Sequence, residues 1–177
     1  MDHLRLMTDD DLDDVLCWRN SPCVRRYMYT QHEISVAEHR RWWMAQQGRD
    51  DRMHLVFCDD EKALGVVSFS GIDRQNGRAD WAFYAATGAP KGTGRRMETC
   101  ALDHTFGHLG LRKLGCEVLA SNRRVIALHK SFGFRIEGLF RQHVILETGA
   151  ADVVRLAMFA DRWHTLKAAI TGRTKLT

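Results

Sequence analysis

Apolar and polar residues alternate over residues 2–7, which predicts a short opening strand. Thr8 then precedes a run of acids, Asp9 to Asp14, suited to a helix N-terminus, and the helix is expected to reach about Arg19. Ser21-Pro22 opens a second short turn with proline at its first position. Ser35-Val36-Ala37-Glu38 has capping-box spacing and predicts a helix to about Gln47. The period then shortens. Residues 53–58, 63–72 and 78–86 read as three strands, with turns at Asp59–Lys62 and Gln75-Asn76-Gly77. Gly88 to Gly92 breaks the pattern. A helix is expected over about 93–109, ended by Gly110. A strand over 114–120, a short helix over 125–132, strands over 134–146 and 153–159, and a last helix over 161–170 complete the chain.

The order is β-α-α-α-β-β-β-α-β-α-β-β-α. Hairpins come first, followed by one β-α-β crossover that needs parallel neighbours. The expected fold is α/β, a central mixed sheet with helices on both sides. No linker or repeat divides the chain, so residues 1–177 are read as one domain.

Composition narrows this further. With 45% apolar residues, five Trp and eight Phe, the chain can fill a core and is not of disordered type. No apolar run nears 18 residues, and the N-terminus lacks the basic and apolar regions of a signal peptide. Five widely spaced cysteines without a Cys-x-x-Cys pair fit free thiols in a reducing compartment, so a cytoplasmic protein is expected. The net charge of +4 is mild and fits an anionic small ligand as readily as nucleic acid; taking the whole chain together, neither a nucleic-acid nor a membrane partner is expected.

Two stretches carry candidate chemistry. The first is Lys91-Gly92-Thr93-Gly94-Arg95-Arg96, a glycine-bearing turn from strand to helix. Such a turn leaves backbone N–H groups at the positive helix end, where a pyrophosphate binds well. A plain glycine turn is the other reading. The second is Asn122, a short helical pattern, His129, then Phe132-Gly133-Phe134.

In this order and spacing the two stretches resemble the acyl-CoA site of the GNAT superfamily of N-acetyltransferases. The resemblance implies acetyl-CoA as co-substrate, no metal, and direct acetyl transfer to an amine. In the turn, Lys91 stands where the family has Arg or Gln, Gly94 is taken as the central glycine, and Arg96 stands where Gly or Ala is usual. Asn122 would lie beside the pantetheine arm. His129 stands where a tyrosine usually protonates the departing thiolate. A histidine near its ordinary pKa of about 6.5 is only partly protonated at neutral pH, so packing of the helix is its alternative role. Tyr84 is the reserve acid. The backbone of Tyr84, Ala85 and Ala86 would pair with the pantetheine amides and polarise the thioester carbonyl. No general base stands out. Ser68, Ser70, Asp73 and Asp80 are candidates, and Glu98 reads as solvated helix face or a dipole partner. His104 and His108 lack a third metal ligand, and Cys100 and Cys116 read as core.

The acceptor side is carried by Trp18-Arg19-Asn20, Val24-Arg25, Tyr27-Met28, His39 and Trp42, with Glu137-Gly138, Arg141 and His143 near the end. This set resembles the pseudaminic acid biosynthesis N-acetyltransferases. It implies a nucleotide-sugar acceptor, a UDP-linked 4-amino-4,6-dideoxy-N-acetyl-altrosamine, whose product serves flagellin glycosylation. Arg19 and Arg25 would meet the diphosphate. Met28, Tyr29 and Trp42, with His39 nearby, would line a pocket for the methyl group or uracil. A ribosomal-protein-type N-terminal acetyltransferase and a non-catalytic acyl-CoA-binding module remain as alternatives. The oligomeric state is left open.

Overall fold

The computed structural model describes residues 1–174. Its strands are β1 (Asp2–Leu6), β2 (Arg52–Asp59), β3 (Lys62–Asp73), β4 (Arg78–Ala85), β5 (Lys113–Leu119), β6 (Arg135–Leu146) and β7 (Gly149–Phe159). Its helices are α1 (Leu12–Asn20), α2 (Pro22–Arg25), α3 (Val36–Met44), α4 (Thr93–Asp103), α5 (Arg123–Phe132) and α6 (Ala160–Thr174). The strands form one sheet in the order β1-β2-β3-β4-β5-β7-β6. Every neighbour pair is antiparallel except β4 with β5. The expected mixed α/β sheet and element order are both present.

Alternation along the strands gives the sheet two buried faces. Leu55, Phe57, Val67, Phe69 and Trp81 join Met97, Leu102, Phe132 and Trp163 in the larger core, which holds α4, α5 and α6. Val56, Cys58 and Val66 join Val15 and Trp18 in a smaller core beneath α1, with Trp42 of α3 against it. Side chains of adjacent strand residues therefore meet different helices.

The parallel pair β4–β5 is short. It runs only through Arg78↔Lys113, Ala79↔Leu114 and Asp80↔Gly115. Beyond Asp80 and Gly115 the two strands part, while β4 stays paired with β3 up to Gly65↔Ala85.

Several boundaries differ from expectation. A 3-10 turn, Asp9–Asp11, precedes α1, and Asp11 accepts from the Thr8 N–H at 2.8 Å. At α3 only half the capping box forms. Ser35 Oγ accepts from the Glu38 N–H at 3.2 Å, but the Glu38 carboxylate turns to His32. The helix expected to 109 is α-helical to Asp103, then widens into a π turn over His104–His108. β7 begins at Gly149 rather than near 153, held by the Ile145↔Ala150 and Leu146↔Gly149 pairs with β6.

Gly65 allows β3, β4 and α4 to approach closely. A Cβ at this position would lie 2.6 Å from the Tyr84 carbonyl oxygen and 2.7 Å from Met97 Cε. Gly65→Ala is therefore expected to cost about 1–3 kcal/mol, seen as a lower urea midpoint. An unchanged midpoint would mean that the β3–β4 contact is looser than this geometry.

Candidate active site

The strand gap organises the site. The Ala86 N–H donates to Leu64 O at 2.8 Å, so Ala86 faces β3. Alternation then turns the N–H and C=O of Tyr84 toward β3 and those of Phe83 and Ala85 toward the gap. The assignment of cofactor pairing to Tyr84, Ala85 and Ala86 is corrected accordingly. The backbone groups left for a ligand in the gap are those of Phe83 and Ala85, while those of Tyr84 and Ala86 are committed to β3.

At the end of the gap nearest α4, Gly92 caps the helix with φ +93°. Only glycine adopts this conformation without strain. Gly94 lies inside the first helical turn. The central glycine of the turn is thus Gly92, with Gly94 as the following small residue and Ala89 at the position of the expected Arg or Gln. Arg96 is not part of this turn. Its Nε donates to Asp2 at 2.9 Å, its Nη2 lies 2.8 Å from Asp59, and its guanidinium covers the Phe57 ring. Arg96 ties α4 to the sheet edge, which removes it from the cofactor set. Thr93 is buried and its hydroxyl donates to Pro90 O at 2.7 Å, so it braces the turn. Lys91 is exposed, and Arg95 donates to Ser131 at 3.0 Å. An open groove of about 480 Å³ along α5 is lined by Arg123, Ile126, Ala127, Lys130 and Ser131, the last being the residue that Arg95 of α4 reaches. Free backbone groups in the gap, a helix N-terminus and this basic groove together suit an extended, diphosphate-bearing thioester. Asn122 caps α5, its Oδ1 accepting from the Val125 N–H at 3.3 Å.

His129 sits at the point where the strands part. Its ring packs against Trp81 and Phe83 of β4, with centroids 5.4 and 5.8 Å away, and against Phe134 at 5.0 Å. Its Nδ1 lies 2.8 Å from Glu98 Oε1. Glu98 is fully buried, contrary to the solvated helix face expected, and its Oε2 has no hydrogen-bond partner. Burial opposes a charge on His129, but Cys116 and Glu98 outweigh it and push the imidazole up to about 10. Burial likewise raises the Glu98 carboxyl. The pair thus holds its proton at neutral pH, which an ordinary histidine would not do.

The opposite face of the sheet carries a different chemistry. Glu117 follows Cys116 on β5 and projects to this side, where it accepts from Tyr29 Oη at 2.9 Å. Arg155 of β7 pairs with Asp80 and lies 3.6 Å from Glu117. Gly115 leaves room for that pairing, since a Cβ there would collide with both Arg155 and Asp80. Ser68 lies 2.9 Å from His54 Nδ1, and burial with nearby Arg52 pushes His54 down to about 4. Ser68 therefore contacts a neutral imidazole. Ser70 and Asp73 lie farther along β3, and Asp73 braces the turn through Asn76.

Tyr84 is half-buried on this face, and burial raises its phenol above the usual value despite nearby Arg19. Arg19 donates to Thr30 O at 2.9 Å, while its Nη1 is buried without a partner. Arg25 lies 3.8 Å from Glu33. His39 is buried and stacks on Trp42 at 5.1 Å, so it supports Trp42 from beneath instead of lining an open pocket. Met28 is half-buried and Tyr29 exposed in the α2–α3 loop. Sequence reasoning missed Glu98, Glu117 and Phe83. Only Glu117 had a signal, as an acid interrupting the apolar run Leu114–Leu119.

The buried pair gives stability a pH dependence. Both folded values lie above the unfolded ones, so this stabilisation is fully present below about pH 6.5 for His129. It is lost as pH rises through about 10. The melting temperature is expected to fall between pH 6.5 and 10, and less steeply in the double variant Glu98→Leu/His129→Phe. Equal slopes in thermal melts would show that the pair exchanges no proton on folding.

Comparison with known proteins agrees with this geometry. A family model described as an acetyltransferase (GNAT) domain matches residues 3–135. An uncharacterized protein of Methanocaldococcus jannaschii is 28% identical over 134 residues, 75% of this chain but only 28% of that protein. The spermidine N(1)-acetyltransferase of Escherichia coli K12 is 26% identical over 162 residues, 90% of this chain and 87% of its own length. The acetyltransferase PseH of Campylobacter jejuni is 23% identical over 130 residues, 73% of this chain and 80% of that one. Among solved structures, spermidine N-acetyltransferase from Vibrio cholerae in complex with CoA and spermine superposes with a TM-score of 0.84 at 22% identity, covering 92% and 97% of the two chains. Family match, sheet topology and strand gap agree: the chain belongs to the GNAT acetyltransferases and is an acetyl-CoA-dependent N-acetyltransferase.

Proposed function

We propose that the acceptor is the primary amine of a nucleotide-linked amino sugar, with the UDP-linked 4-amino-4,6-dideoxy-N-acetyl-altrosamine of pseudaminic acid biosynthesis as the first candidate. The observation that carries this reading is the buried, unpartnered Nη1 of Arg19 on the acceptor face. A buried cationic donor without an acceptor is costly unless an anion completes it. Arg25 lies on the next short helix, where it faces Glu33 at 3.8 Å, a contact that a diphosphate would have to displace. Trp42, T-shaped to His54 at 5.0 Å, offers an aromatic surface for a base or a methyl group.

The relatives that act on spermidine favour a polyamine acceptor as the second reading. A polyamine needs uncompensated carboxylates. Here Asp80 and Glu117 share the single cation Arg155, so the trio keeps one formal negative charge against the several ammonium groups of a polyamine. A peptide acceptor needs an open groove, and the Tyr29–Glu117 hydrogen bond bridges the face.

In this reading the acetyl thioester lies in the strand gap. A β4 N–H, from Phe83 or Ala85, polarises its carbonyl. Glu117, beside the gap on the acceptor side, takes the amine proton directly or through water. His129, on the opposite side, protonates the leaving sulfur. Tyr84, protonated and next to Arg19, orients the acceptor.

The test is thiol release from acetyl-CoA with mass spectrometry of the product, run with the amino sugar nucleotide and with spermidine. Acetylation of the sugar alone supports the reading, and acetylation of spermidine alone replaces it with the second. Arg19→Ala is expected to raise the KM for the sugar nucleotide by about tenfold or more, the value of a charged hydrogen bond, with acetyl-CoA KM unchanged. An unchanged sugar KM would remove Arg19 from the site.

A further inference from the structure

We infer that Glu98 is a positioning residue for the reaction, holding the proton that His129 delivers to the coenzyme A sulfur. The inference rests on the proposed role of His129 as the acid and goes one residue beyond it. Three observations carry it. Glu98 is fully buried in the larger core, where a lone carboxylate has no stabilising reason to be. Its Oε1 lies 2.8 Å from His129 Nδ1, and its other oxygen has no partner. His129 in turn contacts Trp81 and Phe83 of β4 and Cys116 of β5, the strands flanking the gap where the sulfur must pass.

The groups facing the ring are few. From α4 come Glu98 and, acting on Glu98, Arg95. From β5 comes Cys116. β4 and the residue before β6 offer only Trp81, Phe83 and Phe134. Glu98 is thus the only carboxylate among them. The arrangement answers the difficulty that histidine poses in place of a tyrosine, because an imidazole without such a partner is largely unprotonated above pH 7.

The acceptor nitrogen forms a bond to the acetyl carbon, and the carbon–sulfur bond breaks with its electron pair on sulfur. Sulfur takes the Nε2 proton of the His129 imidazolium. Nδ1–H stays hydrogen-bonded to Glu98. The amine gives up its own proton on the opposite face, and solvent restores the imidazolium after product release.

The experiment is the pH profile of kcat for the wild type, Glu98→Gln, His129→Phe, His129→Tyr and the double variant His129→Tyr/Glu98→Gln, with acetyl-CoA KM followed throughout. In Glu98→Gln the basic limb of kcat should move down toward the ordinary histidine value of about 6.5. From the imidazolium fraction, kcat should fall by up to about 30-fold at pH 8, the limit in which Glu98 alone sustains the imidazolium, and by less than about twofold at pH 6, with KM little changed. In the His129→Tyr background the Glu98→Gln loss at pH 8 should shrink to about threefold or less, since a phenol holds its own proton. A pH-independent loss of the same size in both backgrounds would overturn the inference, because it would mark Glu98 as structural. If His129→Phe retains wild-type kcat, the acid assignment itself fails. If that variant is inactive while Glu98→Gln keeps the wild-type profile, only the Glu98 role fails. Should Glu98→Gln not fold, ¹⁵N-imidazole NMR of the wild type decides, with His129 assigned from its loss in His129→Phe. A doubly protonated ring at pH 8 upholds the inference, and titration near or below 6.5 overturns it.

Discussion

The separation of β4 from β5 after three paired residues is the constraint on which the rest of this molecule depends. A parallel pair that stops in mid-sheet leaves the Phe83 and Ala85 backbone groups without a strand partner. Buried backbone groups left unpaired cost about 1–3 kcal/mol each, so the gap calls for a ligand that supplies amides of its own. It also decides where catalysis can occur. Strand side chains alternate, so Cys116 and Glu117, adjacent on β5, project to opposite sides of the sheet. The first touches His129 in the core of α4 and α5, and the second meets Tyr29 on the acceptor face. The His129–Glu98 pair and the Glu117 carboxylate thereby stand on either side of a single opening, as the proposed acid and base roles require.

The placement of Glu98 and His129 is hard to explain as a stability device. Buried ion pairs often contribute nothing relative to well-packed apolar residues of similar volume. Here one carboxylate oxygen is also left unpartnered. The surrounding Trp81, Phe83 and Phe134 could pack against a leucine and a phenylalanine as readily. What the aromatic shell does supply is a low local dielectric, in which a single carboxylate strongly favours a proton on the neighbouring ring. The same shell that makes the pair costly makes it effective.

Most of the fold was legible because its signals are local. Period-two alternation marked the strands, and Pro22, Gly88 and Gly133 marked boundaries that the backbone respects. What was illegible is set by partners far along the chain. Glu98 in the early turns of a helix reads as solvated, and only His129, 31 residues away, shows otherwise. Arg96 sits beside the glycine motif in sequence yet pairs with Asp2, 94 residues distant. The frame of that motif depends on which glycine has positive φ, a property that no spacing encodes. The start of β7 lies in Gly149-Ala150-Ala151, residues of poor strand propensity, and comes from pairing with β6. The π turn after α4 has the same apolar period as the helix it continues.

The charge balance of the acceptor face follows from one glycine. Gly115 has no Cβ, and the vacated volume is where Arg155 reaches Asp80. From there the same guanidinium also faces Glu117. One cation therefore faces two carboxylates, and the trio keeps a single formal negative charge. Glu117 still retains lone pairs for a proton, because it accepts only from Tyr29 besides its contact with Arg155. A carboxylate that is oriented but partly compensated serves better as a proton acceptor than as an anchor for a polycation. In the proposed reading, substrate selection falls to the cationic side of the pocket, where Arg19 carries the one buried donor that the protein leaves unsatisfied among the arginines of the described residues.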